Sequence, residues 1–304
     1  MNLKVLQAAA VLAAGALAGQ TADRRGFRSN SDLVLVAATV LDRTDHPVRG
    51  LTRADFRLFD DKVEQTIASF GEQDAPLSLA MVFDTSGSML DKLPIMRGSL
   101  AALLADSNPE DEFSLVRFAD RAQTAVRWTP NADEIPSAVF SRPAHGRTAL
   151  WDAVHLALEQ FKQAHKRRHA LVIFSDGGDN FSRFSQTQIA RELAEADVQV
   201  YAIDTSELFA IRNQYVDEMP VANPLADMSD RAGGRYFQLA SRQDAQKVAQ
   251  QIGRELRSQY VLGYSPSRQS LDGKLHAIQL RVQRPEGSPR LSVFWRRGYR
   301  APLF

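Results

Sequence analysis

Residues 77–83 are apolar at every position but Ser78, and the run ends on Asp84. An unbroken apolar stretch of this length predicts a strand buried on both faces of a parallel sheet, since a half-exposed strand would alternate. Beyond it Leu93, Met96, Leu100, Leu103 and Leu104 recur at helical spacing, and residues 113–118 return to a strand pattern. A short strand over 124–128 follows, then a helix marked by Leu150, Val154, Leu158 and Phe161 and an apolar strand over 170–174. Next come a helix over 189–196, a buried strand over 198–203, a short strand over 236–239, and a closing helix carrying Ala245, Val248, Ala249, Ile252 and Leu256. This alternation predicts an α/β fold over residues 76–257, with a doubly wound, mostly parallel sheet.

The flanks read differently. Residues 33–42 are apolar and β-branched, and the turn-like Asp45-His46-Pro47 before Val48 predicts a hairpin. Residues 56–59 and 65–70 alternate apolar and polar around Asp60-Asp61-Lys62, as short antiparallel strands do. After Ser258 the helical spacing stops, and residues 259–264, 275–283 and 291–295 read as strands between Pro- and Gly-containing turns. Each flank is too short to bury much alone. Residues 32–73 and 258–304 are therefore expected to meet in a small β-sandwich-like domain, with the α/β domain inserted between them.

At the amino terminus a short basic start, an apolar Ala-rich run over 5–18 and the small residues of Ala16-Leu17-Ala18 predict a signal peptide over 1–18. The apolar run is 14 residues long, below the ~20 needed to span a bilayer, so cleavage is favoured over an anchor. The expected localisation is exported, periplasmic or secreted, with no stable membrane insertion after cleavage. The other readings of this segment are an uncleaved anchor and a frayed helix.

A length of 304 residues with 44% hydrophobic and 8% aromatic residues supports a sizeable core. A net charge of +1 from 37 basic and 36 acidic residues gives no field favouring nucleic acid or an anionic membrane. The absence of cysteine removes disulfides, thiol catalysis and thiolate metal sites together, so any metal must use oxygen or imidazole ligands.

In an open parallel sheet ligands bind at the carboxyl ends of strands, and three polar clusters fall there. Asp84-Thr85-Ser86-Gly87-Ser88 follows the first apolar strand, Gly146-Arg147-Thr148 opens the helix containing Trp151, and Ser175-Asp176-Gly177-Gly178-Asp179 follows the strand over 170–174. Hydroxyls and carboxylates without a soft ligand suit a hard divalent cation such as Mg²⁺.

These clusters resemble the metal-ion-dependent adhesion site (MIDAS) of von Willebrand factor A domains, written Asp-x-Ser-x-Ser, then a distant Thr, then a distant Asp. Asp84, Ser86 and Ser88 match the first element, Thr148 in Gly-Arg-Thr-Ala-Leu the second, and Asp176 in Phe-Ser-Asp-Gly the third. The resemblance implies a Rossmann-like fold and a Mg²⁺ or Mn²⁺ ion, touched by the serines and Thr148 directly or through water and by the aspartates largely through water. It also implies a protein partner whose Asp or Glu carboxylate completes the shell. Residues 48–56, Ala232-Gly233-Gly234-Arg235 and residues 259–264 resemble bacterial exported proteins carrying a von Willebrand factor A-related domain. Residues 207–224 do not follow that pattern.

Each fragment alone is an ordinary turn or cap composition, and it is their co-occurrence at strand ends that points to a site. Asp179 reads as a turn residue. His155, His165 and His169 match no zinc spacing and read as a solvated face, Lys166-Arg167-Arg168 reads as an exposed run, and Phe161 reads as core with Trp151 undecided. The expected function is an exported, non-enzymatic, metal-dependent binding module. The alternative is a metal-dependent hydrolase or phosphotransferase using the same site. Against it stand the missing second aspartate of an aspartyl-phosphate motif and the lack of a Gly-x-Ser-x-Gly elbow or phosphate-binding Gly-x-x-x-x-Gly-Lys loop. A third reading, a structural protein that has lost its metal, conflicts with five intact positions.

Overall fold

The structure is a computed structural model and describes residues 33–141, 143–208, 223–266, 272–283 and 289–301. The signal peptide expected over residues 1–18 and most of residues 207–224 lie outside the described residues. The chain begins with β1 (Val34–Leu41), β2 (Phe56–Asp60), β3 (Val63–Gln65) and β4 (Ser69–Gln73). The central part follows with β5 (Leu77–Asp84), α1 (Leu93–Leu104), β6 (Glu112–Phe118), β7 (Ala122–Thr129), α2 (Glu134–Val139), α3 (Leu150–Phe161) and β8 (Arg168–Ser175). It continues through α4 (Gln186–Glu195), β9 (Gln199–Asp204), α5 (Pro224–Arg231), β10 (Tyr236–Gln238) and α6 (Arg242–Leu256). The chain then returns to strands, β11 (Gln259–Tyr264), β12 (Leu275–Val282), β13 (Ser292–Trp295) and β14 (Gly298–Arg300).

The central sheet runs in the order β10-β9-β8-β5-β6-β7, parallel except for the antiparallel edge strand β7. All eight residues of β5 are buried because both faces are covered. Leu79, Met81 and Phe83 pack with α1 and α6 through Met96, Leu100 and Ile252. Ala80 and Val82 pack on the opposite side with α3 and α4 through Leu150, Val154 and Ile189. The chain thus leaves β5 toward one face and β8 toward the other. The loops after these neighbouring strands diverge and open a crevice at their carboxyl ends.

Two four-stranded antiparallel sheets, β13-β1-β11-β4 and β14-β12-β2-β3, draw strands from both flanks. Their inner faces share a core that includes Val36, Ala38, Leu58, Tyr260, Leu262, Ile278 and Leu280. The hairpin expected after residue 42 shrinks to one bridge between Leu41 and Pro47, because β1 takes β11 and β13 as partners instead. Helices α2 and α5 and strand β14 had no counterpart in the sequence pattern. The basic run also needs correction. Arg168 is no exposed charge, since its guanidinium donates to the carbonyls of Ala75 and Leu256 and to Gln259 Oε1. His155 stacks on Phe184 and pairs with Glu192, while both Phe161 and Trp151 are core residues.

The α/β unit is stitched to the sandwich at Ala232-Gly233-Gly234. Ala232 bridges to Arg296, and Arg297 N donates to Arg231 O at 3.0 Å. A Cβ on Gly233 would stand 2.2 Å from Arg296 N, and one on Gly234 2.1 Å from Val200 O, so only glycine permits the approach.

Beside this seam Arg235 binds Glu255 at 2.6 Å and Asp45 at 3.2 Å. Burial pushes the Glu255 carboxyl up to about 7 although Arg235 pulls it down. Its folded value therefore lies above the ordinary 4.5, so the stabilisation this group contributes is present below that value and is lost as pH rises through about 7. Urea midpoints should accordingly fall from about pH 5 to about pH 8, with a flatter profile in Glu255→Gln. A profile unchanged by the substitution would assign the pH dependence elsewhere.

Candidate metal centre

Asp84 is the last residue of β5 and is fully buried. Its Oδ1 accepts the backbone N–H of Ser86 at 2.8 Å, which bends the chain out of the sheet, and its Oδ2 accepts Ser175 Oγ at 2.8 Å from the end of β8. The two strand ends are thereby tied through one carboxylate. The Ser86 and Ser88 hydroxyls lie 3.1 Å apart, and the Ser88 hydroxyl helps to lower the Asp176 carboxyl.

The loop containing Thr148 is held to both neighbours through its backbone. Gly87 N donates to Gly146 O at 3.1 Å and His145 N to Thr85 O at 2.9 Å. From the third loop, Asn180 N and Phe181 N donate to Thr148 O at 3.0 and 3.1 Å, and Thr148 N donates to Asn180 Oδ1 at 3.0 Å. Hydrogen bonds thus link Asp84 to Ser86 and Ser86 to Ser88, Asp176 is carried beside them by its neighbour Ser175, and Thr148 joins them through its loop.

Asp179 acts at the start of α3, where its Oδ2 accepts Trp151 N at 3.1 Å. An acceptor there satisfies one of the otherwise unpaired first-turn donors. Lys92, which the sequence reading missed, reaches back so that its Nζ lies 3.2 Å from Asp176 Oδ2. A basic residue eight positions after Asp84, immediately before α1, is the only sequence signal for it.

The electrostatics of the two carboxylates differ. Burial pushes Asp84 up to about 6, against the hydrogen bonds from Ser86 and Ser175. Burial works in the same direction at Asp176, but Ser88 and the Lys92 ammonium outweigh it, and that carboxyl titrates below its usual value. Asp84 is therefore a buried carboxylate whose charge is under-compensated by the protein alone. A cation beside it would relieve that cost. The donors gathered here are all oxygens, two of them carboxylates and three hydroxyls, a set that fits a hard dication such as Mg²⁺ or Mn²⁺.

An open, doubly wound sheet with hydroxyls and carboxylates gathered at the carboxyl ends of two central strands defines a ligand-binding α/β domain. The von Willebrand factor type A domain matches residues 78–251, more than half of the chain, and the chain belongs to that family. It is similar to the uncharacterized Escherichia coli (strain K12) protein YfbK, at 24% identity over 66% of this chain and 33% of that protein. It is also similar to mouse inter alpha-trypsin inhibitor heavy chain 4, at 28% identity over 39% of this chain and 14% of that one. The chain thus spans a third or less of the length of these relatives. Among solved structures it shares the fold of proximal thread matrix protein 1 from the mussel byssus, with a zinc-occupied MIDAS motif. That likeness has a TM-score of 0.50 and 18% identity, covering 65% of this chain and 49% of that one. Among the described residues, no helix is long and apolar enough to cross a membrane.

Proposed function

We propose that this chain is an exported, metal-dependent binding module. In this reading Asp84, Ser86, Ser88, Thr148 and Asp176 hold a Mg²⁺ or Mn²⁺ ion that recognises an acidic side chain of a partner protein. The observation that carries it is the hydrogen-bonded convergence of three loops, distant in sequence, into one oxygen-rich cluster at the mouth of the sheet. When bound, the ion supplies two positive charges, which the two carboxylates balance formally while the three hydroxyls contribute only dipoles. Lys92 reduces the negative charge of the cluster further by engaging Asp176.

The rim favours a protein partner. Leu90 and Phe181, on the first and third loops, are 57% and 43% exposed, which marks apolar contact points beside the cluster. The Arg147 guanidinium lies over the Phe181 ring at 4.8 Å and adds a positive charge that attracts an acidic group. The zinc-occupied motif of the mussel protein supports the same use of the cluster here.

Loading the protein with Mn²⁺ and following water-proton relaxation tests the reading. A short peptide bearing one glutamate is expected to displace metal-bound water and lower the relaxivity, whereas its glutamine counterpart leaves the signal unchanged. Equal responses to the two peptides would remove carboxylate recognition from the assignment.

A further inference from the structure

The sandwich holds a second group of metal-ligating side chains, remote in the fold from the loops after β5 and β8. Asp60 ends β2, Asp61 enters the turn to β3, and His276 lies on β12, the neighbour of β2. His276 Nδ1 is 2.9 Å from Asp61 Oδ2 and 3.9 Å from Asp60 Oδ1, and one ligand atom from each residue falls within 4.8 Å of the others.

Each of the three side chains has its remaining polar atom anchored. Asp60 Oδ2 accepts the Tyr264 and Tyr299 hydroxyls at 3.0 and 2.9 Å, and Asp61 Oδ1 accepts Ala277 N at 2.9 Å. His276 Nε2 lies 3.3 Å from Asp272 Oδ1, and the Tyr299 ring stacks on the imidazole. What is left pointing inward is Asp60 Oδ1, Asp61 Oδ2 and His276 Nδ1. Asp60 is only 7% exposed, yet its Oδ1 accepts no hydrogen bond from any described residue. A buried carboxylate oxygen aimed at an imidazole and left without a donor needs a positive partner.

An ion pair with a protonated His276 answers that need incompletely. Three carboxylates, Asp60, Asp61 and Asp272, surround one imidazole, and the nearby Lys274 sits 3.5 Å from Asp272 with its side chain largely in solvent. A dication brings twice the charge of an imidazolium into the gap between the three inward atoms. The histidine is also set up for ligation. On binding a cation the ring would give up its Nδ1 proton, keep an Nε2–H for Asp272 and turn the Nδ1 lone pair to the ion, the carboxylate–histidine–metal arrangement. One nitrogen with two carboxylate oxygens suits zinc and its neighbours, whose tetrahedral ligands at about 2.0–2.1 Å stand about 3.3 Å apart. The observed separations of 2.9 and 3.9 Å bracket that value. The Asp61 side chain is 55% exposed, so the ion has an entry path and water a place in the shell.

We propose that Asp60, Asp61 and His276 form a second, structural metal site for a zinc-class dication, which clamps the β2–β3 turn onto β12 and closes that edge of the sandwich. This proposal is independent of the loop site, and the test is built to keep them apart. The Asp84→Ala protein, silent at the loop site, is loaded with ZnCl₂, desalted, and assayed for bound metal and for thermal midpoint. In parallel, CoCl₂ is titrated and its visible ligand-field absorption recorded. One equivalent of zinc, a raised midpoint and a saturable cobalt spectrum are expected. Zinc and spectrum should both disappear when His276→Gln is added, and Asp272→Asn, which touches no ligand atom and guards against misfolding of the first variant, should weaken binding roughly 10- to 100-fold. Absence of retained zinc in Asp84→Ala, or retention unaffected by His276→Gln, would overturn the assignment.

Discussion

Replacing Asp84 by alanine is expected to lower Mg²⁺ affinity by about 100-fold or more while leaving the protein folded. The carboxylate stands at the junction of the first and third loops, because one oxygen holds Ser86 and the other holds Ser175. Its loss therefore removes negative charge from the cluster and loosens both Ser86 and the end of β8 that carries Asp176, the upper end of what an outer-sphere partner costs. The cost to the metal-free fold is smaller. Ser86 N–H and the Ser175 hydroxyl lose a buried acceptor, about 1–3 kcal/mol, but a carboxylate that burial has already pushed up to about 6 is also removed, which offsets part of that loss. In the wild type, metal at 100 times its dissociation constant should add about 2.7 kcal/mol of stability, and in the variant it should add almost none. Calorimetric titration together with melts with and without MgCl₂ reads both quantities. A variant that keeps the metal-linked gain would sink the role of Asp84.

A large loss of stability is expected from Gly234→Ala. A Cβ there would lie 2.1 Å from Val200 O and 2.6 Å from Val200 C, both backbone atoms of a central strand that no rotamer change can move aside. The pairing of β9 with β10 and the bond from Ala202 N to Arg235 O fix the distance between these segments. One of them must yield by about 1 Å, which places the substitution at about 3 kcal/mol, the upper end of what overpacking usually costs. For a chain of this size that corresponds to a fall in Tm of about 6–12 °C. Gly50→Ala provides the comparison, since Gly50 has φ +76° but open space around its Cα, leaving only the left-handed penalty of about 1–2 kcal/mol. Similar melts for the two variants would mean that the seam at Gly234 is softer than its contacts indicate.

How much of this was legible in the sequence depended on how local the determining physics is. The run ending at Asp84 announced a buried parallel strand because burial on both faces leaves an unbroken apolar stretch. The three polar loops were legible as one candidate site because strand-end placement follows from the order of elements. What escaped was set by partners far along the chain. β1 was read as half of a hairpin, yet its neighbours β11 and β13 lie more than 200 residues away. Arg168 looked like part of a solvated run because its acceptors on Ala75, Leu256 and Gln259 come from both boundaries of the α/β unit. Helix α2 is six residues long with an internal proline, too short for its 3.6-residue period to show. Lys92 was missed because nothing local tells a lysine at the start of a helix to fold back on Asp176.

The α/β unit leaves and re-enters the sandwich through adjacent strands, with Gln73 at the end of β4 paired directly with Gln259 at the start of β11. The covalent connection is thus two adjacent strands, and the candidate metal rim lies at the far end of β5, a strand whose seven steps span roughly 23 Å. A large ligand can therefore dock on that rim without colliding with the supporting sheets. The same layout provides a natural cassette, because a short linker joining residue 73 to residue 259 would excise the head and leave two neighbouring strands already in register.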